Sequence, residues 1–329
     1  MRGFLGGYGD AGIRILDVDG SRLSVRPGAA VADASFLALH PDSRTLYAVV
    51  EGSEGRVAAF GIDDESLRPL ASQPTGGTSP THLSVHPSGR FLLTANYGSG
   101  SVSVHPIDVD GSVGERTDLV RHSGSGPDPE RQQGPHAHMV VAEPSGAYVL
   151  VVDLGTDSLH RYLFDSGRLT PAMTAVTNPG AGPRHVAFDP GGTSAYVVAE
   201  LDSTVRVLDL RSFTWGEPVS TVPDDVAVTN HPSAVKVSAD GRFCYVANRG
   251  HDSIAVFAVE NGGGRLRPTT TVPCGGDGPR DLELAGAWLY VANQSSGTVT
   301  SFSLDPASGR PTPAGEPVRT PSPSCLLLT

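Results

Sequence analysis

Two short stretches concentrate the side chains best suited to acid–base and anion chemistry: Gly134-Pro135-His136-Ala137-His138 and Gly182-Pro183-Arg184-His185. Each stands just before a run that reads as a β-strand. A neutral imidazole is available near pH 7 to take a proton from water. A guanidinium presents a planar fork that matches a carboxylate or phosphate. In an extended segment, side chains two residues apart share a side, so His136 and His138 can face one target. Taken alone the two histidines suggest a metal site. No third ligand stands at a supporting spacing, and neither a metal nor an organic cofactor is expected.

The elements that must position these residues are repeats. One unit recurs six times, most clearly at Leu83–Asn96 and Val235–Asn248, with further copies beginning near Phe36, Met139, His185 and Asp281. The usual period of about 45–50 residues lies in the range of propeller repeats. Each unit reads as an alternating strand, a Pro-x-Gly or Asp-Gly turn, a more apolar strand, a third strand and a weaker fourth. Four antiparallel strands per unit make a blade. The N-terminal segment Phe4–Val18 matches late strands of a unit, and Cys325–Leu328 matches a first strand. The expected fold is therefore all-β, a seven-bladed β-propeller in one domain over residues 1–329. Its ring is closed by the N- and C-terminal strands, which removes an exposed edge.

In such a blade the start of strand one and the end of strand two lie on one face. The residues at the strand-one starts are Ser35, Thr81, His138, Arg184, Ser233 and Arg280. Serine and threonine in this column fit local backbone bonding; His138, Arg184 and Arg280 offer more than that task needs. At the strand-two ends Asn96, Asp153, Asn248 and Asn293 fit a repeated turn role. The next position varies: Tyr97, Leu154, Glu200, Arg249 and Gln294. Glu200 and Arg249 stand out there, as ligand-binding groups or as partners in an inter-blade ion pair. The unit before Met139 is longer by about ten residues, which fall within 121–133. This loop runs straight into His136, as binding segments on compact scaffolds often do.

The remaining composition excludes several classes. The net charge of −11 disfavours nonspecific nucleic-acid binding. Cys244, Cys274 and Cys325 form neither a disulfide framework nor a zinc pattern. No apolar run approaches the ~20 residues of a membrane helix, and the N-terminus reads as a strand rather than a signal peptide. A cytoplasmic location is expected. No dinucleotide fingerprint, Walker loop or nucleophile elbow is present, and Gly262-Gly263-Gly264 reads as a hairpin tip.

At these residues the chain resembles the seven-bladed propeller lactonases of the bacterial 6-phosphogluconolactonase type, related to the fungal carboxy-muconate lactonizing enzymes. The resemblance covers essentially the whole chain. Its marks are Ala95–Val104, Gly124–Gln132, Gly134–His138, Asp153–Asp157, Gly182–His185, Glu200–Thr204 and Asn248–Ser253. The family's site residues correspond to His136, Arg184 and Glu200, with a further arginine matched by Arg249. Two departures are visible. Pro232-Ser233-Ala234 stands where many members carry Ala-Ala-Glu, and Thr81 stands where cysteine is common.

The resemblance implies hydrolysis of a small anionic sugar lactone, with His136, His138, Arg184 and Glu200 as catalytic candidates. Arg249, Arg280, His185 and Arg131 are the substrate-binding candidates. The expected partner is the lactone itself, without nucleic acid or membrane, on a monomer or weak homodimer. A cycloisomerase that makes or opens a lactone, and a propeller used only for binding, remain as alternatives.

Overall fold

A computed structural model describes residues 1–63 and 66–329. Its strands form seven sheets, each with four antiparallel strands along its main path, and two sheets carry a further short strand at the edge. Among the described residues two one-turn 3-10 segments interrupt the strands. Strands from the two chain ends, Arg2–Gly7 and Pro323–Leu328, pair in one sheet with Ile13–Asp19 and Arg22–Ala29. The expected seven blades are thus present, with the termini sharing one. A Cβ at Gly3 would come within 2.6 Å of the Leu327 carbonyl, so glycine permits that closing pair.

By backbone proximity the chain divides into two units. One comprises residues 4–14 and 27–182, with Thr329. It holds the blades that begin at Leu37–Leu39, Pro80–Val85 and Ala137–Ala142. The other comprises residues 1–3, 15–26 and 183–328. It holds the blades that begin at Pro183–Phe188, His231–Val237 and Pro279–Ala285.

Alternation within the strands builds the cores between blades. In the first unit Leu93, Ala95, Val102 and Val104 of one blade pack with Val140, Val149 and Val151 of the next. In the second, Tyr245, Ile254 and Val256 pack with Leu282, Leu289 and Val291. All three cysteines are buried thiols.

A repeated tyrosine pins one blade to the next. Tyr47, Tyr196, Tyr245 and Tyr290 occupy one place in the second strands and are fully buried. Each hydroxyl donates to a glycine carbonyl, of Gly111, Gly263, Gly309 and Gly20 respectively, at 2.9–3.1 Å. A buried tyrosine needs such a partner. The four glycines all have positive φ, between 58° and 98°, a conformation that glycine reaches without steric cost.

Candidate active site

Five of the six strand-one starts share a feature that places their side chains. The ladder shifts register between Pro80 and His82, Ala137 and Met139, Pro183 and His185, and Pro279 and Asp281. A fifth shift falls between Pro232 and Val235. Thr81, His138, Arg184 and Arg280 are thus the extra residues of β-bulges, and Ser233 lies within the fifth. A bulge turns its residue out of the regular alternation and re-aims the side chain. Ser35 differs, because its strand begins only at Leu37.

The bulges also tie successive blades together. Thr81 Oγ1 donates to the His138 carbonyl at 3.3 Å, and Ser233 Oγ donates to the Pro279 carbonyl at 2.6 Å. Arg184 Nη1 donates to the Ser233 carbonyl at 2.6 Å. The threonine and serine therefore do the backbone work expected of them.

In the second unit the bulge column meets the variable column. Pro183 lies opposite Ala199, so Arg184 and Glu200 each stand one residue beyond that pair. Glu200 Oε2 lies 2.9 Å from Arg184 Nε and 2.7 Å from Arg249 Nη2. The side chains of Arg184 and Glu200 are 3–4% exposed, while that of Arg249 is 21% exposed. Arg249 Nε donates to the His231 carbonyl at 3.1 Å, which fixes the guanidinium plane. Two guanidiniums thus flank one buried carboxylate, and Arg249 is the partly exposed member of the three. Two blades further on the same two columns meet without the acid: Arg280 Nη1 donates to Gln294 Oε1 at 3.1 Å. His185 returns to the ladder opposite Val198 and is buried.

In the first unit the two histidines converge on Tyr97, the variable-column residue of the preceding blade. His136 stacks on it with ring centroids 4.4 Å apart and planes at 17°. His138 meets it edge-on at 5.5 Å and is buried. His136 Nδ1 lies 2.9 Å from the Tyr97 carbonyl. A carbonyl only accepts, so Nδ1 carries the proton and the neutral ring keeps its lone pair on Nε2. Gln133 Oε1 is 3.5 Å from Nε2, and its amide is oriented by donation from Nε2 to the Glu130 carbonyl at 2.6 Å. Once His136 Nε2 takes a proton it faces an acceptor.

The segment that carries His136 is clamped on both sides. Its N–H donates to Asp153 Oδ1 at 2.8 Å, and its carbonyl accepts the Leu154 N–H at 3.0 Å. The long loop is anchored by Gln132, whose Nε2 donates to the Leu154 carbonyl and Asp157 Oδ1, both at 2.8 Å. Asp157 also accepts the N–H groups of Gly180 and Gly182 at 2.7 and 2.8 Å, which sets the turn before Pro183. Asp252 repeats this on Gly278, ahead of Arg280, at 2.8 Å. Neither aspartate appeared among the sequence candidates, although both follow the variable column by three residues. Arg131 lies in the same loop, its N–H on Asp128 Oδ1 at 2.9 Å.

His122, Asp153 and His160 bring one donor atom each within 4.8 Å of one another. His122 Nδ1 and Asp153 Oδ2 are 2.5 Å apart. Two ligands of one zinc-sized cation stay roughly 3.3 Å apart at tetrahedral angles. His122 and Asp153 are hydrogen-bonded to each other and His160 bonds instead to Ser158 and Thr174, so the trio is not spaced as a coordination sphere. Two grooves of about 550 and 430 Å³ run along outer strands, lined by residues such as Val219, Leu266, Thr221 and Thr270. Neither is lined by any of the candidate residues.

Comparison with known proteins gives one consistent result. The family model described as "Lactonase, 7-bladed beta-propeller" matches residues 2–328. A 6-phosphogluconolactonase of Bacillus subtilis is 38% identical, over 98% of this chain and 97% of the relative. The periplasmic gluconolactonase of Pseudomonas aeruginosa superposes with a TM-score of 0.93 at 31% identity, covering 99% of this chain and 98% of that one. A Lactobacillus plantarum protein does so at 0.93 and 32%, with the same coverage.

Proposed function

Because the chain belongs to the seven-bladed β-propeller lactonase family, we propose that it hydrolyses 6-phosphogluconolactone, a sugar lactone bearing a phosphate. The observation that carries this reading is the pair of guanidiniums, Arg184 and Arg249, gathered on the buried Glu200 carboxylate, with Arg249 the partly exposed member. A guanidinium held in plane by a backbone carbonyl is suited to a phosphate oxygen pair.

His136 is assigned the general base. Its Nε2 takes a proton from water while the water oxygen adds to the lactone carbonyl. The tetrahedral oxyanion then collapses, the ring C–O bond breaks, and the departing ring oxygen takes up the proton that His136 Nε2 holds, which restores the neutral base. A guanidinium stabilises the oxyanion as charge develops. Glu200 holds both arginines in register. His138, buried against Tyr97, supports the ring stack.

We place this activity in the cytoplasm. A phosphorylated lactone does not cross membranes, so the enzyme must share the compartment of the reaction that makes it. No helix among the described residues is long and apolar enough to cross a membrane. The Pseudomonas relative is described as periplasmic, so cell fractionation checks the assignment directly.

The test of substrate is a comparison of freshly prepared 6-phosphogluconolactone with unphosphorylated gluconolactone. The expected result is hydrolysis well above the buffer rate and preference for the phosphorylated compound. A rate equal to buffer with both would end the assignment.

A further inference from the structure

Three of the four residues that close second strands in the buried Asx column are asparagines: Asn96, Asn248 and Asn293. The fourth is Asp153, equally inaccessible to solvent. An asparagine supplies the same acceptor oxygen without a charge. Burying a carboxylate costs several kcal/mol unless it is paired. The acid therefore calls for a reason that a turn alone does not give.

Asp153 is held from two directions. Oδ2 accepts from His122 Nδ1 at 2.5 Å, and Oδ1 accepts the N–H groups of His136 at 2.8 Å and Thr156 at 3.1 Å. His122 Nε2 lies 3.0 Å from the Tyr162 hydroxyl. Burial, reinforced by the charge of Asp153, pushes that phenol up to about 12, so it keeps its proton. Burial opposes that charge, but the hydrogen bond and field of His122, with the His136 N–H, hold the carboxyl below its ordinary range. His160, the other titratable neighbour, is lowered to about 4, chiefly by burial, and does not neutralise it. Around the His136 ring the titratable neighbours are Tyr97 and His138.

We propose that Asp153 is a positioning residue for His136 and that its buried negative charge favours the imidazolium formed when His136 takes a proton. The carboxylate accepts the N–H of the residue that bears the ring, so covalent geometry keeps every ring atom within about 8 Å of it. His122, supplied by the long loop, keeps that charge in place. The loop is thereby a part of the base rather than a cover over it. This inference rests on His136 being the general base.

Asp153→Asn is the discriminating change, because it is the residue that sister blades use at this place. The acid limb of kcat/KM against pH moves to lower pH by about half a unit to one unit, and the plateau falls several-fold. KM changes less than kcat. In ¹H–¹³C spectra the His136 signals, identified by their loss in His136→Ala, titrate correspondingly lower. His122→Leu moves them the same way, because the buried carboxyl without its donor takes up a proton. His136 signals that titrate as in wild type in both variants overturn the proposal. If instead His136→Ala hydrolyses lactone at the wild-type rate, the base assignment fails, while the spectra still decide whether Asp153 acts on the ring.

Discussion

Arg184, on the first strand of its blade, and Glu200, in the turn that follows the second, lie with Nε 2.9 Å from Oε2, both buried. They meet because the bulge at Arg184 removes it from the ladder and leaves it beside the residue that follows Ala199. The carboxylate is shared with Arg249 at 2.7 Å. Breaking a buried ion pair by deleting one charge costs about 3–5 kcal/mol. Glu200→Gln is therefore expected to lower the unfolding free energy, measured by chemical denaturation, by an amount in that range. It also loses more than tenfold in lactone hydrolysis, measured on the folded fraction. Unchanged turnover in folded enzyme would make the cluster purely structural.

Gly155 packs against the base segment. A Cβ there would lie 2.0 Å from the Gly134 carbonyl oxygen and 2.8 Å from both the His136 N and its Cδ2. No side-chain movement relieves a clash with backbone. Gly155→Ala is expected to displace residues 134–136 and reduce kcat at least tenfold, with destabilisation of about 1–3 kcal/mol. Steady-state kinetics alongside chemical denaturation checks both.

His105 is fully buried. Burial lowers its pKa to about 4, against a hydrogen bond with the Pro74 carbonyl that raises it, and Arg116 adds to the lowering. The unfolded chain takes up a proton as pH falls through about 6.5, while the folded ring stays neutral until about 4. Stability from this group is full above 6.5, declines across that window by about 3 kcal/mol, and levels below it. Urea denaturation at pH 7 and pH 5 is expected to show a smaller drop in His105→Phe than in wild type.

The blade-pinning tyrosines give a control away from the site. Tyr245→Phe strands the buried Gly309 carbonyl and is expected to cost about 1–3 kcal/mol. Lactone hydrolysis is expected to stay at the wild-type rate. A change in kcat without a change in stability would contradict the assigned role.

The blade count and the two polar columns were legible because repeats place equivalent residues in register, and turn residues mark each strand end. The bulges were not. A bulge is a mismatch between two strands, and one strand's alternation does not reveal it. Arg184 and Arg280 could therefore be placed at strand starts, but their contacts with Glu200 and Gln294 could not be read. The shared contact of His136, stacked, and His138, edge-on, with Tyr97 joins residues about 40 apart, with nothing local to signal it. Asp153 falls among asparagines because the column fits a turn role, and its contact with His122, 31 residues away in the chain, has no local signal. Asp157 and Asp252 were missed for a related reason. Their partners are backbone N–H groups of the next blade, which leave no trace in residue type.

If Arg249 and its buried partners hold the phosphate of a lactone, the Arg249→Ala variant shows it in its KM for 6-phosphogluconolactone, set beside its rate on unphosphorylated gluconolactone. The expected result is a KM raised at least tenfold for the phosphorylated substrate and a nearly unchanged rate on the other. Equal losses on both substrates, or none on either, would contradict it.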